Sequence, residues 1–151
     1  MSRILLIKAE TDIGMARLAL TQSDDYYVLN AAYHVQQAVE KTLKFALEEL
    51  GVDYQKTHRI SALVKQMPDT QDLLSDEDLE FLEAREDSFA NWESNVRYDN
   101  DYMASRRLVS KVLDFAEQLL CKTKSWSDAR LTTEVKPEGI SVAELGKLSF
   151  D

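Results

Sequence analysis

The chain has 151 residues, 44% of them hydrophobic and 30% charged, with only four glycines and two prolines. That is one domain by size, too apolar for global disorder and too poor in turn residues for a sandwich or barrel. The formal net charge of −9 argues against strong nucleic-acid binding, because phosphates must be met by Lys and Arg from a local basic patch.

The apolar run Ile4-Leu5-Leu6-Ile7 stops at Lys8, too short for a secretory leader, and no later run could span a bilayer. The single Cys121 fits a reducing compartment and permits no internal disulfide. A cytoplasmic protein without membrane association is expected.

A first helix is predicted from about Arg3 to Leu20, with Ala9, Ile13, Ala16 and Leu20 at spacings of four, three and four. Gly14 lies inside it, so either a neighbour packs closely there or the helix is locally weak. Ser23 can cap a second helix, with Asp24 and Asp25 in its first turn and Gly51 just past its end. Its core stripe is Val28, Ala32, Val35, Val39, Ala46 and Leu50, beside Ala31, Ala38 and Thr42. The opposite face carries Tyr33, Gln37, Glu40 and Lys44, a continuous polar ridge. It reads either as a solvated face with an i,i+4 ion pair or as a recognition surface.

Thr57 precedes a short helix with Ile60, Leu63, Val64 and Met67, closed by Pro68. Ser75 caps a fourth helix whose stripe is Phe81, Leu82, Ser88, Phe89 and Trp92. Its acidic residues, Asp76 to Asp78, Glu80, Glu83, Glu86 and Asp87, form a solvated face or a docking surface. Arg85 falls in the middle of the apolar stripe. A charge there must be paired or must reach water, and the expectation is a carboxylate partner such as Glu40, at a dimer contact or facing a bound phosphate.

The pattern breaks over residues 95–100. A fifth helix from about Asp101 to Cys121 then presents Leu108, Val109, Val112, Leu113, Phe115, Ala116, Leu119 and Leu120 on one face. Arg106, Arg107 and Lys111 form a compact basic cluster on it, read either as a site that meets an anion or, as the leading expectation, as an offset to the acidic fourth helix. Periodicity fades from Ser125, with a turn at Pro137 and Gly139 and a short helix possible from Val142 to Leu148. The expected architecture is all-α: an up-and-down bundle of four to five helices over residues 1–124, with residues 125–151 as an extension.

Motifs for catalysis are absent. There is no CxxC, HExxH, Gly-rich phosphate loop or paired Glu-x-x-His, so neither metal nor cofactor is expected. His34 and His58 have no partners close in sequence, which argues against a metal or acid–base role.

Residues 31–45 contain Gln36-Gln37-Ala38-Val39-Glu40-Lys41-Thr42-Leu43-Lys44, which resembles the signature helix of the HEPN domain family. Ala9-x-x-Asp12-Ile13-x-x-Ala16 is similar to that family's first helix. Thr57-His58 after Gly51, and Trp92 followed by Arg97-Tyr98, resemble later landmarks, with Asp99 where the family has Pro. The resemblance covers residues 5–121. It implies a bundle of four or five helices, frequent homodimers, and association with nucleotides, RNA or small nucleotidyltransferases. By this analogy Arg97 and Tyr98 are either anchors at the start of the last helix or ligand contacts. Ribonuclease members carry an Arg and a His separated by four to six intervening residues; counted from Arg97, the His positions hold Tyr102, Met103 and Ala104. The reading is therefore a non-enzymatic homodimeric module that binds a nucleotide-like ligand or a protein such as a nucleotidyltransferase. The alternatives are a diverged ribonuclease using Arg97, Tyr98 and Tyr102, and a structural or antitoxin-like protein. The candidate ligand contacts are Tyr33, Gln37, Glu40, Lys44, Arg85, Arg97 and Tyr98.

Overall fold

The computed structural model describes residues 2–98 and 102–134, and the side chains of 95–98 and 134 lie outside the description. Six helices are found among the described residues and no strand: α1 Ile4–Leu20, α2 Asp25–Glu49, α3 Ile60–Lys65, α4 Asp76–Ala84, α5 Glu86–Tyr98 and α6 Arg106–Glu134. The long α2 packs against α1, α3, α5 and α6, and α1 also meets α6. This is the all-helical bundle the periodicity predicts, with the fourth helix divided in two.

The stripe expected on α2 is its buried face, except that the helix ends at Glu49 and Leu50, its C-cap, is half-buried. Val28, Ala31, Ala32, Val35, Ala38, Val39, Thr42 and Ala46 are all buried there, joined by Leu43, Phe45 and Leu47. The cap is Asp24 rather than Ser23: its carboxylate accepts from the Tyr26 N–H at 2.9 Å. At the other end Gly51 takes φ 72°, the left-handed conformation that ends a helix at least cost for glycine.

On α1 the inner face of Leu6, Ala9, Asp12, Ile13, Ala16 and Ala19 is buried. Gly14 is exposed, and a Cβ added to it would meet nothing within 4 Å. Among the described residues no neighbour presses on it, which leaves only the lower helix propensity of glycine at that position. The end of α1 is closed by Arg106, which donates to the carbonyls of Leu20 at 3.0 Å and Gln22 at 2.9 Å. Arg106 therefore satisfies helix-terminal acceptors instead of offsetting the acidic fourth helix.

Ser75 and Asp78 form a reciprocal capping box at α4. The chain leaves helical geometry at Arg85, with φ −112° and ψ 17°, and resumes as α5. Phe89 and Trp92 are buried from α5, while Phe81 stacks on Phe115 of α6 at 4.1 Å between ring centroids.

The expected fading at Ser125 is corrected, because α6 continues to Glu134. Thr123 and Ser127 are buried on its inner face. Thr123 bonds back to the Leu119 carbonyl at 2.7 Å, and Ser127 donates to Glu49 at 3.0 Å. Trp126 Nε1 donates to Asp72 at 2.7 Å, and Arg3 pairs with Asp128 at 2.5 Å. The turn at Pro137 and Gly139 and the helix expected at Val142 to Leu148 lie outside the described residues.

Candidate functional site

The polar ridge of α2 is not a solvated face. Glu40 is only 4% exposed and Gln36 fully buried, and the segment leading into α3 brings His58 against this side of α2. A buried carboxylate must be held by donors, and Glu40 has three. Lys44 Nζ donates to it at 3.0 Å and Gln36 Nε2 at 3.2 Å. His58 Nδ1 stands 3.3 and 3.4 Å from its two oxygens. Gln36 also donates to the His58 carbonyl at 3.1 Å, and its own amide oxygen accepts from Gln37 at 2.7 Å. Gln37, Gln36, Glu40, Lys44 and His58 thus form one connected chain, which reaches solvent at the 68% exposed His58 side chain.

The neighbourhood carries the field of that carboxylate. The Tyr54 phenol is pushed above its ordinary value, first by burial and then by the charges of Glu48 and Glu40. Beyond His58, Ser61 and Arg59 donate to Glu86 at 2.6 and 3.2 Å. The Ser61 bond, opposed by burial and aided by Arg59, holds the Glu86 carboxyl below its ordinary range.

Of the residues singled out by sequence, the structure joins Gln37, Glu40 and Lys44. Tyr33 is half-buried on the same side, edge-on to the His34 ring at 5.5 Å. Arg85 is not part of the group, and the expected pairing with Glu40 is corrected. Its guanidinium lies 3.9 Å over the Phe81 ring, and Nη1 donates to the Phe81 carbonyl at 3.4 Å. Among the described residues no carboxylate meets it, and its buried Nε has no partner. Cation–π contact and the break in the helix take the place of an ion pair. Arg97 and Tyr98 belong to the last turn of α5, and their side chains lie outside the described residues.

A second polar cluster sits between α1 and α2. Asp12, 7% exposed, accepts from Lys41 and lies 2.8 Å from His34 Nδ1. A carboxylate only accepts, so His34 Nδ1 is the donor in this contact. Both histidines thus have carboxylate partners, which neighbouring residues in the sequence did not suggest. Among the described residues no three metal-ligating side chains gather. Cys121 is exposed.

Tyr102, which occupies the first of the positions where ribonucleases carry His, is half-buried. Burial pushes its phenol above the ordinary value, with hydrogen bonding to Trp92 acting the other way. Such a phenol stays protonated at neutral pH and cannot serve as a base. The acidic residues of α4 are mostly solvated: Asp76, Glu77, Glu80 and Glu83 are exposed, while Asp78 accepts from Lys122 at 2.7 Å.

Among the described residues no helix is long and apolar enough to cross a membrane. The HEPN domain family model matches residues 2–126. No curated protein matches the chain significantly, and neither does any solved structure.

Proposed function

The chain belongs to the HEPN domain family, and from that premise we propose that it is a non-enzymatic cytoplasmic binding module whose polar seam on α2 takes a nucleotide-like ligand. The observation that carries this reading is the connected chain from Gln37 through Gln36 and Glu40 to Lys44 and His58. It fixes side chains that would otherwise rotate, so that an amide and an imidazole are held in place at the surface. A base edge needs donors and acceptors set in place in this way, and a phosphate can be met by the neighbouring exposed Arg59. Preorganisation lowers the ordering cost of binding.

The non-enzymatic part rests on Tyr102, Met103 and Ala104, none of which exchanges a proton at neutral pH. One observation favours a second reading. His58 is exposed and sits beside the Glu40 carboxylate, an arrangement that acid–base chemistry uses. A diverged ribonuclease would have to work through it.

The test is a thermal-shift titration of the full chain with ATP, GTP, other nucleotides and short RNAs, with and without magnesium. A ligand at a hundred times its dissociation constant stabilises by about 2.7 kcal/mol, or several degrees at this size. A shift with one nucleotide, lost in His58→Ala and Gln37→Ala, supports the reading. No shift with any nucleotide, together with a nucleotidyltransferase that co-purifies, replaces the ligand by a protein. RNA cleavage that disappears in His58→Ala overturns the non-enzymatic reading.

A further inference from the structure

The short helices α3 and α4 form the two banks of an open trough. Two grooves, of about 610 and 380 Å³, meet in it and share Val64 and Lys65 of α3 and Leu79 of α4 as walls. The floor is apolar. Val64, Met67 and Leu79 are only half-buried at the edge of the core, while Leu74 and Leu82 beside them are buried.

The walls are fixed. At one end Gln71 pins the loop between the helices: its amide oxygen accepts from the N–H groups of Leu73 and Leu74 at 2.9 and 2.7 Å, and its Nε2 donates to the Leu74 carbonyl at 2.9 Å. The reciprocal cap of Ser75 and Asp78 starts α4 at the same end. At the other end Ser61 Oγ donates to Glu86 at 2.6 Å and ties α3 to the start of α5. A recess held in shape in this way keeps the ordering cost of binding low.

The rim is acidic, on a chain whose formal net charge is −9. Asp69 and Asp76 stand at one end and Glu83 and Glu86 at the other, with Lys65 as the cation between them. Glu86 is engaged by Ser61 and Arg59. Asp69, Asp76 and Glu83 are exposed and have no ion-pair partner among the described residues. Asp76, Leu79 and Glu83 follow one another at spacings of three and four, so α4 presents acid, apolar and acid along one line. The complementary occupant carries an apolar group between two cations.

The dimensions narrow the choice. Asp76 and Glu83 are seven residues apart, about 11 Å along the helix axis, which a single metal ion or ammonium group does not bridge. In an extended peptide every second side chain faces the same way, and residues i and i+4 lie about 13 Å apart. Lys or Arg at i and i+4 then reaches Asp76 and Glu83, with an apolar side chain at i+2 over Val64 and Leu79. The flexible stems of the basic residues take up the difference and cover apolar wall themselves.

We infer that the trough between α3 and α4 docks an extended cationic segment of another protein, of the form basic–x–apolar–x–basic. The inference does not rest on the α2 seam or on any ligand there.

Fluorescence anisotropy of labelled peptides against the full chain tests it. The probes are Gly-Lys-Ser-X-Ser-Arg-Gly with Leu, Ile, Met or Phe at X. One control places Ser at X, and a second replaces both basic residues by Glu. At least one apolar probe should bind with a dissociation constant on the order of 10–100 µM. Binding should weaken as salt rises from about 0.05 to 0.5 M, because the rim charges are exposed to screening. Both controls should bind about tenfold more weakly or less. The variant Asp76→Lys/Glu83→Lys should lose the basic probe at unchanged helicity, since both side chains are exposed, and should gain the Glu probe, a swap that damage to the fold cannot produce. The proposal is overturned if no apolar probe binds below about 1 mM. Equal binding of the Ser control would reduce the contact to general attraction by a polyanion and also overturns it. So does basic-probe binding that survives the double reversal, which places the contact elsewhere. Displacement of the probe by an equal concentration of spermidine would make the occupant a small polycation instead of a protein segment.

Discussion

Replacing Lys44 by Met keeps the aliphatic stem and removes the ammonium that lies 3.0 Å from Glu40. The side chains are 17% and 5% exposed, so water cannot take over the lost contact as it does at a surface pair. Breaking a buried pair from one side costs about 3–5 kcal/mol. Glu40 keeps Gln36 and has His58 beside it, which lowers the expected loss to about 2–4 kcal/mol by retaining charge-assisted bonds. In a domain of this length each kcal/mol moves the midpoint by about 3 °C, so Lys44→Met should melt about 6–12 °C lower. The companion variant Lys44→Met/Glu40→Gln leaves no lone charge, and should recover about half of the loss by the same reasoning. Urea and thermal unfolding of wild type, both single variants and the double close a mutant cycle. A loss below about 1 kcal/mol in Lys44→Met, the range of an exposed pair, would refute the argument that the seam is a buried, interdependent network. So would strict additivity in the cycle.

Three further outcomes are expected. Gly14→Ala should stabilise by about 0.5–1 kcal/mol in urea unfolding, because the added methyl meets nothing within 4 Å and the helix gains propensity. Burial pushes the Asp78 carboxyl up, but its bonds to Lys122 and Ser75 outweigh this and leave it below the ordinary range. A carboxyl lowered on folding stabilises fully above its unfolded value, about 3.9, and loses that contribution as pH falls through the folded one. The stability difference between wild type and Lys122→Met should therefore be present at pH 6 and shrink as the pH falls below the unfolded carboxyl value, as read from urea unfolding at each pH. A chain ended after Lys124 should melt several degrees lower than the full chain by circular dichroism, since it lacks Ser127 and the bonds of Trp126 and Asp128.

The sequence made the bundle legible wherever apolar residues repeat at helical spacing, and least legible where polar groups do the packing. Val28, Ala32, Val35 and Val39 mark the inner face of α2 by periodicity alone. Thr123 and Ser127 continue the inner face of α6 with hydroxyls that bond to neighbours, and hydropathy patterns cannot register that. The break at Arg85 has no Gly or Pro to announce it. For the site, Gln37, Glu40 and Lys44 were visible as a ridge, but its burial depends on elements remote in sequence. The partnership of His58 with Glu40 spans 18 residues and that of His34 with Asp12 spans 22. No local spacing rule reaches so far. An arginine on an apolar stripe suggests a carboxylate partner, whereas for Arg85 the Phe81 ring four residues before it is near enough to serve.

The Asp12 cluster has a consequence for how the chain finds its alignment. The buried faces of α1 and α2 are rich in alanine, with Ala9, Ala16, Ala19, Ala31, Ala32 and Ala38 among them. Surfaces so smooth offer little resistance to one helix sliding along the other. A slip by a single turn, about 5.4 Å, would still set apolar residues against one another, with Ile13 moving to the place of Ala9 and Val35 to that of Ala31. It would also carry Asp12 away from both Lys41 and His34 and strand a carboxylate in the interior. Asp12 therefore acts as a detent between two nearly featureless rods: it contributes little to the depth of the correct arrangement and much to the height of its nearest rival.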